Sequence, residues 1–181
     1  DVQRIERLIT DYSQILKDEV ALSKEKMKKI NLKIIARSVV DDFNNIYEAK
    51  RGIKIMLNDQ NDQEEYFIKG IENRIEQIIA NLLDNSISFS EDNKEILVEI
   101  YKGDKDKIIL KVIDEGKGFK EIDTKKIFDR FYSNRPDTFG EHSGLGLNIV
   151  KNLVDLHGAT INASNNASQK GANVEIVFPK V

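Results

Sequence analysis

The sequence predicts an α+β sandwich rather than a doubly wound α/β domain. Segments with helical periodicity and segments with strand-like patterns both occur, and the two kinds do not alternate strictly along the chain. Two of the strand-like segments follow one another across a short polar turn, as the strands of a hairpin do. The 181 residues suffice for one compact domain, or for one domain with an appendage, and for a sizeable core.

Composition excludes several classes of function. The 28 Lys+Arg and 31 Asp+Glu leave a net charge of −3, without the basic surplus that non-specific nucleic-acid binding requires, so we expect no nucleic-acid partner. The absence of cysteine excludes disulfide scaffolds, thiolate zinc sites and cysteine nucleophiles, and two histidines are too few for a His-rich metal site. Uncharged apolar stretches such as residues 78–83 are far shorter than the ~20 residues that span a bilayer. No signal peptide opens the sequence, and we therefore expect a soluble, intracellular protein.

Residues 1 to about 29 predict one helix with a single apolar stripe. Ile5, Leu8, Ile9 and Tyr12 recur at steps of three and four residues, and no Gly or Pro interrupts the pattern. A helix cannot bury such a stripe by itself, so the pattern indicates a partner helix. The lysine-rich residues 24–33 indicate a boundary with a short connector. The alternative is an ordinary solvated first helix of one single domain.

The remaining residues predict a mixed succession of helices and strands. Gly52 and Gly158 follow two of the helical patterns as C-terminal caps, and the polar residues 102–106 form the turn of the hairpin. Helices are expected at 34–50, 71–89 and 145–156, and strands at 53–58, 66–69, 96–101, 108–113, 160–163 and 173–178.

The helix predicted at 71–89 carries a polar face. Asn81, Asn85, Ser88 and Phe89 lie on one side of it, because residues three and four apart are neighbours on a helix. Asparagine is a poor helix former, but its amide oxygen is a suitable hard ligand for Mg²⁺. The alternative is that these asparagines are ordinary surface residues.

Two glycine-rich elements follow later in the chain. Asp114, Gly116 and Gly118 come directly after a strand, where glycines let the backbone approach a ligand and the carboxylate can accept a hydrogen bond. Gly144 and Gly146 open a helix whose exposed N–H groups suit phosphate. Each pattern is equally typical of a plain turn.

About twenty polar residues separate these glycine elements, at about 119–143, and predict a functional lid. Phe128, Phe131 and Tyr132 within it argue against disorder. The guanidinium groups of Arg130 and Arg135 could reach a phosphate.

Together, these elements resemble the sensor histidine kinases, of the superfamily (GHKL) that they share with gyrase-type and chaperone-type ATPases. The shared features are Asn-x-x-x-Asn on a helix, Asp-x-Gly-x-Gly after a strand, paired Phe and a helix-opening Gly-x-Gly, in that order and spacing. Residues 73–78, leading into Asn81, fit as well, and the resemblance covers about residues 33–179. It implies a two-layer sandwich of a mixed sheet and three main helices, preceded by one long helix, that binds ATP and Mg²⁺.

The resemblance also implies roles for individual residues. Asn85 would ligate Mg²⁺ between the phosphates of ATP, with Asn81 lining the same site. Asp114 would accept a hydrogen bond from the adenine amino group, and Phe89 would pack against the adenine ring. Phosphoryl transfer needs mostly positioning and charge neutralisation, and Asn85 and Arg135 are the candidate catalytic residues.

The remaining members of the implied ATP site surround the phosphates and the lid. Gly116 and Gly118 would make room for the nucleotide, and Phe128 and Phe131 would anchor the lid. The residues expected near the phosphates are Arg130, Arg135, Ser143, Gly144, Leu145 and Gly146.

Two positions depart from the pattern of the sensor histidine kinases, and a third distinguishes this sequence from their gyrase-like relatives. Ser88 stands where many members have a lysine, so that the phosphate charge must be met by Arg135 or another lid residue. His142 stands where a glycine is frequent, and would either contact phosphate or turn outward. Gyrase-like relatives have a water-activating glutamate at the position of Asn81, and an amide is no general base, which favours a kinase over a hydrolase.

The phosphoacceptor histidine of the family has no counterpart in this sequence. His142 lies in the lid, and His157 lies at a helix C-terminus, where we expect a structural role through charge–dipole complementarity. Residues 1–22 resemble the second helix of the dimerisation hairpin. We therefore expect a hairpin portion at 1–30 and a catalytic domain at 31–181, without self-phosphorylation.

The resemblance further implies partners and a location. A full protein would supply the phosphoacceptor helix, form a homodimer and pass the phosphoryl group to a response regulator, whereas these residues alone would be monomeric. We expect the cytoplasmic portion of a membrane-anchored bacterial protein. The alternatives are a GHKL-type ATPase or protein serine kinase, and a nucleotide-binding scaffold without catalysis.

Overall fold

The computed structural model describes residues 27–59, 63–119, 126–129, 146–167 and 170–181, together with residues 2 and 5. The predicted first helix lies outside the described residues apart from Val2 and Ile5, which are both helical. Most of the predicted lid also lies outside them. The division into units at 1–30 and 31–181 therefore stays a prediction.

Three helices and seven strands make up the described part of the chain. The helices are α1 (Leu32–Arg51), α2 (Glu72–Phe89) and α3 (Gly146–Leu156). The strands are β1 (Lys28–Asn31), β2 (Lys54–Asn58), β3 (Phe67–Gly70), β4 (Glu95–Lys102), β5 (Ile108–Ile113), β6 (Thr160–Asn165) and β7 (Ala172–Phe178).

Five of the strands form one mixed sheet in the order β2-β4-β5-β7-β6. The β2–β4 pair is parallel, and the other three pairs are antiparallel. Along β7 every second residue is buried, because successive side chains of a strand point to opposite faces. All three helices contact strands of this sheet, and α2 also contacts both α1 and α3. The predicted α+β sandwich with a mixed sheet and three main helices is confirmed.

The interpretation of residues 24–33 as a connector is wrong at its C-terminal end, where residues 28–31 form β1. This strand pairs antiparallel with β3 in a separate two-stranded sheet, in which Ile30 lies opposite Ile68. Four residues that include two lysines have little strand pattern of their own, so pairing with β3 decides their conformation.

Capping residues mark both ends of α1. The Asn31 side chain accepts a hydrogen bond from the Lys33 N–H at 3.1 Å, as an N-cap does. At the other end Gly52 adopts a left-handed conformation with φ 65°, and its N–H bonds back to the last turn of the helix. The predicted stop at Gly52 is confirmed.

One hydrophobic cluster joins the helices to the buried face of the large sheet. Ile78 of α2, Leu110 of β5, Val150 of α3 and Ile176 of β7 are completely buried within it. In the described part of the chain, no helix combines the length and the apolar character that crossing a membrane requires.

Candidate functional site

The polar face of α2 is buried. Asn81 is 1% exposed, Asn85 6% and Ser88 2%, so the interpretation of these residues as surface side chains is wrong. The Asn81 side-chain N–H₂ donates to the carbonyl oxygen of Gln77 at 2.8 Å, one turn earlier. Burial of amide groups inside the central helix is costly unless they are hydrogen-bonded, as Asn81 is.

The Ser88 hydroxyl is directed at the backbone of its own helix. It lies 2.8 Å from the carbonyl oxygen of Asp84 and 3.1 Å from that of Asn85. The side chain of Ser88 is therefore a neutral group that is hydrogen-bonded within its own helix.

Asp114 directly follows β5 and is 2% exposed. Its Oδ1 accepts two backbone hydrogen bonds, from Gly116 N–H at 2.9 Å and from Ala172 N–H at 3.1 Å. Its own N–H donates to the carbonyl oxygen of Ala172 at 3.0 Å. The end of β5 and the start of β7 thus hold one carboxylate in a fixed position.

Burial raises the pKa of the Asp114 carboxyl above its usual value. Hydrogen bonds from Gly116 N–H, Ala172 N–H and the Ser86 side chain oppose part of that rise, because they stabilise the charged form. A buried carboxylate with a perturbed pKa is a frequent feature of functional sites. Ser86 belongs to α2 and adjoins Asn85. This contact therefore links α2 to residues 114–119, which follow β5 and are called the Asp114 segment below.

Close approach explains the first glycine of the Asp114 segment. A Cβ on Gly116 would lie 2.5 Å from the backbone oxygen of Phe89, where no side chain fits. The structure therefore brings together the C-terminal end of α2, with the half-buried Phe89, and the segment that follows β5. At Gly118 the backbone is left-handed, with φ +76°.

Of the predicted lid at about 119–143, the structure describes Phe119 and residues 126–129. Lys126–Phe128 form a 3₁₀ turn in which Ile127 and Phe128 are buried. The Asn148 side chain, in the first turn of α3, donates to the Phe128 carbonyl at 3.1 Å. Gly146 begins α3, as expected. The other predicted residues of this region lie outside the described residues: Arg130, Phe131, Arg135, His142, Ser143, Gly144 and Leu145.

His157 has a structural role, but not through its charge. Its Nδ1 lies 2.7 Å from the Leu153 carbonyl, and its Nε2 accepts the Ile71 N–H at 3.2 Å. Burial lowers the pKa of the imidazole below its usual value, so His157 is neutral where charge–dipole complementarity was expected. It joins the C-terminal end of α3 to the N-cap residue of α2.

Sequence reasoning missed the hairpin between β6 and β7 as part of this site. Asn165 and Asn166 contact both ends of the Asp114 segment, and Gly171 packs on its backbone. The only sequence signal was a turn-rich stretch at 164–171, which does not indicate what the turn touches. Ser86 was also missed, although it lies between two residues of the predicted polar face.

Comparison with known proteins assigns the chain to a family. The family model described as "Histidine kinase-, DNA gyrase B-, and HSP90-like ATPase" matches residues 70–181, which is more than half of the chain. The chain belongs to this family.

Curated relatives of this ATPase-family chain are sensor proteins. Sensor protein ChvG of Rhizobium meliloti (strain 1021) is 34% identical over 177 residues, covering 94% of this chain and 30% of that protein. Sensor protein kinase PmrB of Pseudomonas aeruginosa is 29% identical over 180 residues, covering 97% of this chain and 36% of that protein. The chain thus spans about a third of the length of these relatives.

Solved histidine kinase structures share the fold of this family member. A nucleotide-free form of the catalytic domain of histidine kinase ThkA superimposes with a TM-score of 0.73 at 25% identity, covering 85% of this chain and 97% of that one. ThkA in complex with response regulator protein TrrA matches with a TM-score of 0.70 at 21% identity, over 99% of this chain and 48% of that one.

Proposed function

We propose that this chain carries the ATP-binding catalytic domain of a sensor histidine kinase, which transfers the γ-phosphoryl group of ATP to a histidine. The main observation that supports this function is the position of Asp114. Asp114 is a buried carboxylate fixed by two N–H groups, beside the end of a helix that carries the amide pair Asn81 and Asn85.

In this proposal Asp114 recognises the base. A carboxylate can accept about four hydrogen bonds, and Gly116 N–H, Ala172 N–H and the Ser86 side chain use three of them, so an acceptor position remains for the adenine amino group. The segment is rigidly held, which lowers the entropic cost of that contact. Phe89 packs against the ring, and the small Gly116 and Gly118 leave room for it.

Asn85 is the proposed magnesium ligand. Its amide oxygen is a hard donor, and Mg²⁺ in phosphate sites typically takes one or two protein ligands plus phosphate oxygens, so the donor set fits. When bound, Mg²⁺ neutralises charge on the phosphates. The internally bonded Ser88 leaves the cationic role to the lid, where we propose Arg130 and Arg135. The phosphates are cradled by Ser143, Gly144, Leu145 and Gly146.

The phosphoacceptor is a histidine outside this sequence. His157 is unsuited to the role because it is buried and both of its ring nitrogens are engaged. His142 belongs to the proposed lid, whose anchors are Phe128 and Phe131. The Asn81 amide already donates to the Gln77 carbonyl, and an amide is no general base for water. This favours a kinase over a hydrolase.

The whole protein that we propose is a homodimeric, membrane-anchored bacterial sensor with its catalytic part in the cytoplasm. Its partners are ATP, a phosphoacceptor helix and a response regulator. The sensor names of the relatives, and the ThkA structure in complex with a response regulator, support these partners.

Thermal unfolding with and without Mg-ATP tests the nucleotide site. A ligand at a hundred times its Kd stabilises the fold by about 2.7 kcal/mol, which for this chain length raises the Tm by roughly 5 to 10 °C. Asn85→Ala should lose most of that shift, and chelation of the metal should reduce the wild-type shift to the same level. Asn45→Ala, at an exposed position of α1, is the matched control and should keep the full shift.

A wild-type protein whose Tm does not respond to Mg-ATP would contradict the proposal and favour the scaffold without catalysis. The proposal that the phosphoacceptor histidine lies outside this sequence has its own test. Incubation of the chain alone with labelled ATP should give no acid-labile phosphoryl group on the protein, and the appearance of one would refute that statement.

A further inference from the structure

The connection between β6 and β7 holds the segment 114–119 at both of its ends. Asn166 contacts Asp114 at the start of the segment, and the adjacent Asn165 contacts Phe119 at its end. We infer that Asn165 and Asn166 are positioning residues for nucleotide-base recognition, which they support by fixing the segment that carries Asp114. The inference rests on the proposed function of Asp114.

Asn166 fixes the main chain of Asp114. Its side-chain N–H₂ donates to the Asp114 carbonyl at 2.9 Å, and its own backbone N–H donates to the Gly171 carbonyl at 2.9 Å. The Asp114 N–H and Oδ1 are meanwhile bonded to Ala172. The backbone groups on both sides of the Asp114 side chain are therefore tied to one hairpin.

Gly171 permits this close packing. A Cβ at that position would lie 2.0 Å from the Asp114 carbonyl oxygen and 2.7 Å from the Asn166 side-chain nitrogen. Its φ of +134° is also a conformation that other residues rarely adopt. Two independent constraints thus require glycine where the hairpin meets Asp114.

Asn165 fixes the other end of the segment. Its Oδ1 accepts the Phe119 N–H at 2.6 Å, and its side-chain nitrogen donates to the Phe119 carbonyl at 3.1 Å. The amide thereby satisfies both backbone groups of Phe119, as a neighbouring strand would. A Cβ on Gly118 would come within 2.6 Å of the Asn165 Oδ1, which again requires close approach.

These two clamps matter because the residues between them are conformationally free. The segment contains Gly116 and Gly118, and glycine loses more backbone freedom on ordering than any other residue. Without the clamps the carboxylate would have to be ordered when the base binds, which weakens binding. A small misplacement also weakens a directional hydrogen bond steeply.

Asn166→Asp is the sharpest test, because it keeps the size of the side chain but replaces the N–H₂ donor by an oxygen that faces the Asp114 carbonyl. Asn162→Ala is the control, since Asn162 is an exposed asparagine of strand β6, which ends directly before Asn166. The measurements are the Kd values for Mg-ATP and Mg-GTP by calorimetry and the Tm without nucleotide.

We expect Asn166→Asp to weaken ATP binding by about tenfold, the equivalent of one lost hydrogen bond, and to weaken GTP binding much less. Asn165→Ala should act in the same direction and gives a second variant if Asn166→Asp does not fold. A merely structural role would lower the Tm and change both Kd values by the same factor, or neither, which would overturn the inference. If the wild-type protein does not bind ATP at all, the proposed function fails, and the inference fails with it.

Discussion

Replacing Asp114 by asparagine should separate nucleotide binding from stability. The two side chains have nearly the same shape, and an asparagine oxygen can still accept the N–H groups of Gly116 and Ala172, now at 2.9 and 3.1 Å from Oδ1. The substitution removes the buried negative charge. Because the amide oxygen is occupied, its N–H₂ must take the place of the second carboxylate oxygen.

The expected loss of affinity follows from this geometry. A hydrogen bond to a charged group contributes about 1.5 to 3 kcal/mol, so its loss weakens ATP binding roughly 10- to 150-fold. In Asp114→Asn an N–H₂ would also face the adenine amino group, which is another donor. We therefore expect a loss near the upper end of that range.

Although Asp114→Asn should weaken ATP binding, it should leave the stability of the fold unchanged or increase it. Burial raises the folded-state pKa of Asp114 above the ordinary value of 3.8, so the folded protein holds this proton more tightly than the unfolded chain. The corresponding stability is fully present below pH 3.8 and is lost as the pH rises through the folded-state pKa. Once the pH exceeds the folded-state pKa, the wild-type protein bears the cost of a buried charge, and Asp114→Asn does not.

Calorimetric titration with Mg-ATP, and urea denaturation at pH 7 and pH 4, measure the two effects. Asp104→Asn, in the exposed turn after β4, controls for the loss of one charge. At pH 7 the variant should be at least as stable as the wild type, with a smaller advantage at pH 4. Unchanged ATP affinity would refute the role of Asp114 in base recognition, and a large loss of stability at pH 7 would refute the account of its burial.

Two further predictions concern residues that hold the site and the helices in place. Gly171→Ala should cost about 2 to 5 kcal/mol in urea denaturation, because its Cβ would lie 2.0 Å from the Asp114 carbonyl at a φ of +134°. Gly158→Ala, with φ +65° and no atom within 4 Å, should cost only about 1 kcal/mol, and equal losses would refute the steric explanation. Burial depresses the pKa of His157, so stability should be complete above pH 6.5 and fall as the pH drops below it. His157→Gln should flatten the dependence of the unfolding free energy on pH below 6.5. If the variant keeps the wild-type dependence, other groups cause it.

The elements that were predicted from the sequence are those with a strong local pattern. The strand expected at 108–113 is observed as Ile108–Ile113, and the helix expected at 34–50 ends where predicted, at Gly52. Alternation of buried residues and the left-handed preference of glycine act over a few residues, so they are visible in one sequence. The strand at 28–31 was missed because its conformation depends on pairing with β3, almost forty residues later in the chain.

The same division applies to the site. Asn81, Asn85, Asp114 and Gly116 were predicted as site residues because their types and spacings form a linear pattern, and their roles stay predictions. Their ordinary alternative, exposed helical asparagines, could be rejected only when the tertiary structure buried them. His157 was assigned a structural role correctly and a charged state wrongly, because its protonation depends on burial and on the N–H of Ile71.

The sequence by itself determined the family resemblance, the order of most helices and strands, and the residue types that can meet a nucleotide and a metal. Only the tertiary structure decided what holds Asp114. Ser86, Asn166 and Ala172 come from α2 and from the β6–β7 hairpin, and they lie 28 or more positions away from Asp114 in the chain. Contacts over such separations follow from how the helices pack on the sheet, because the burial of the whole core fixes which loops meet.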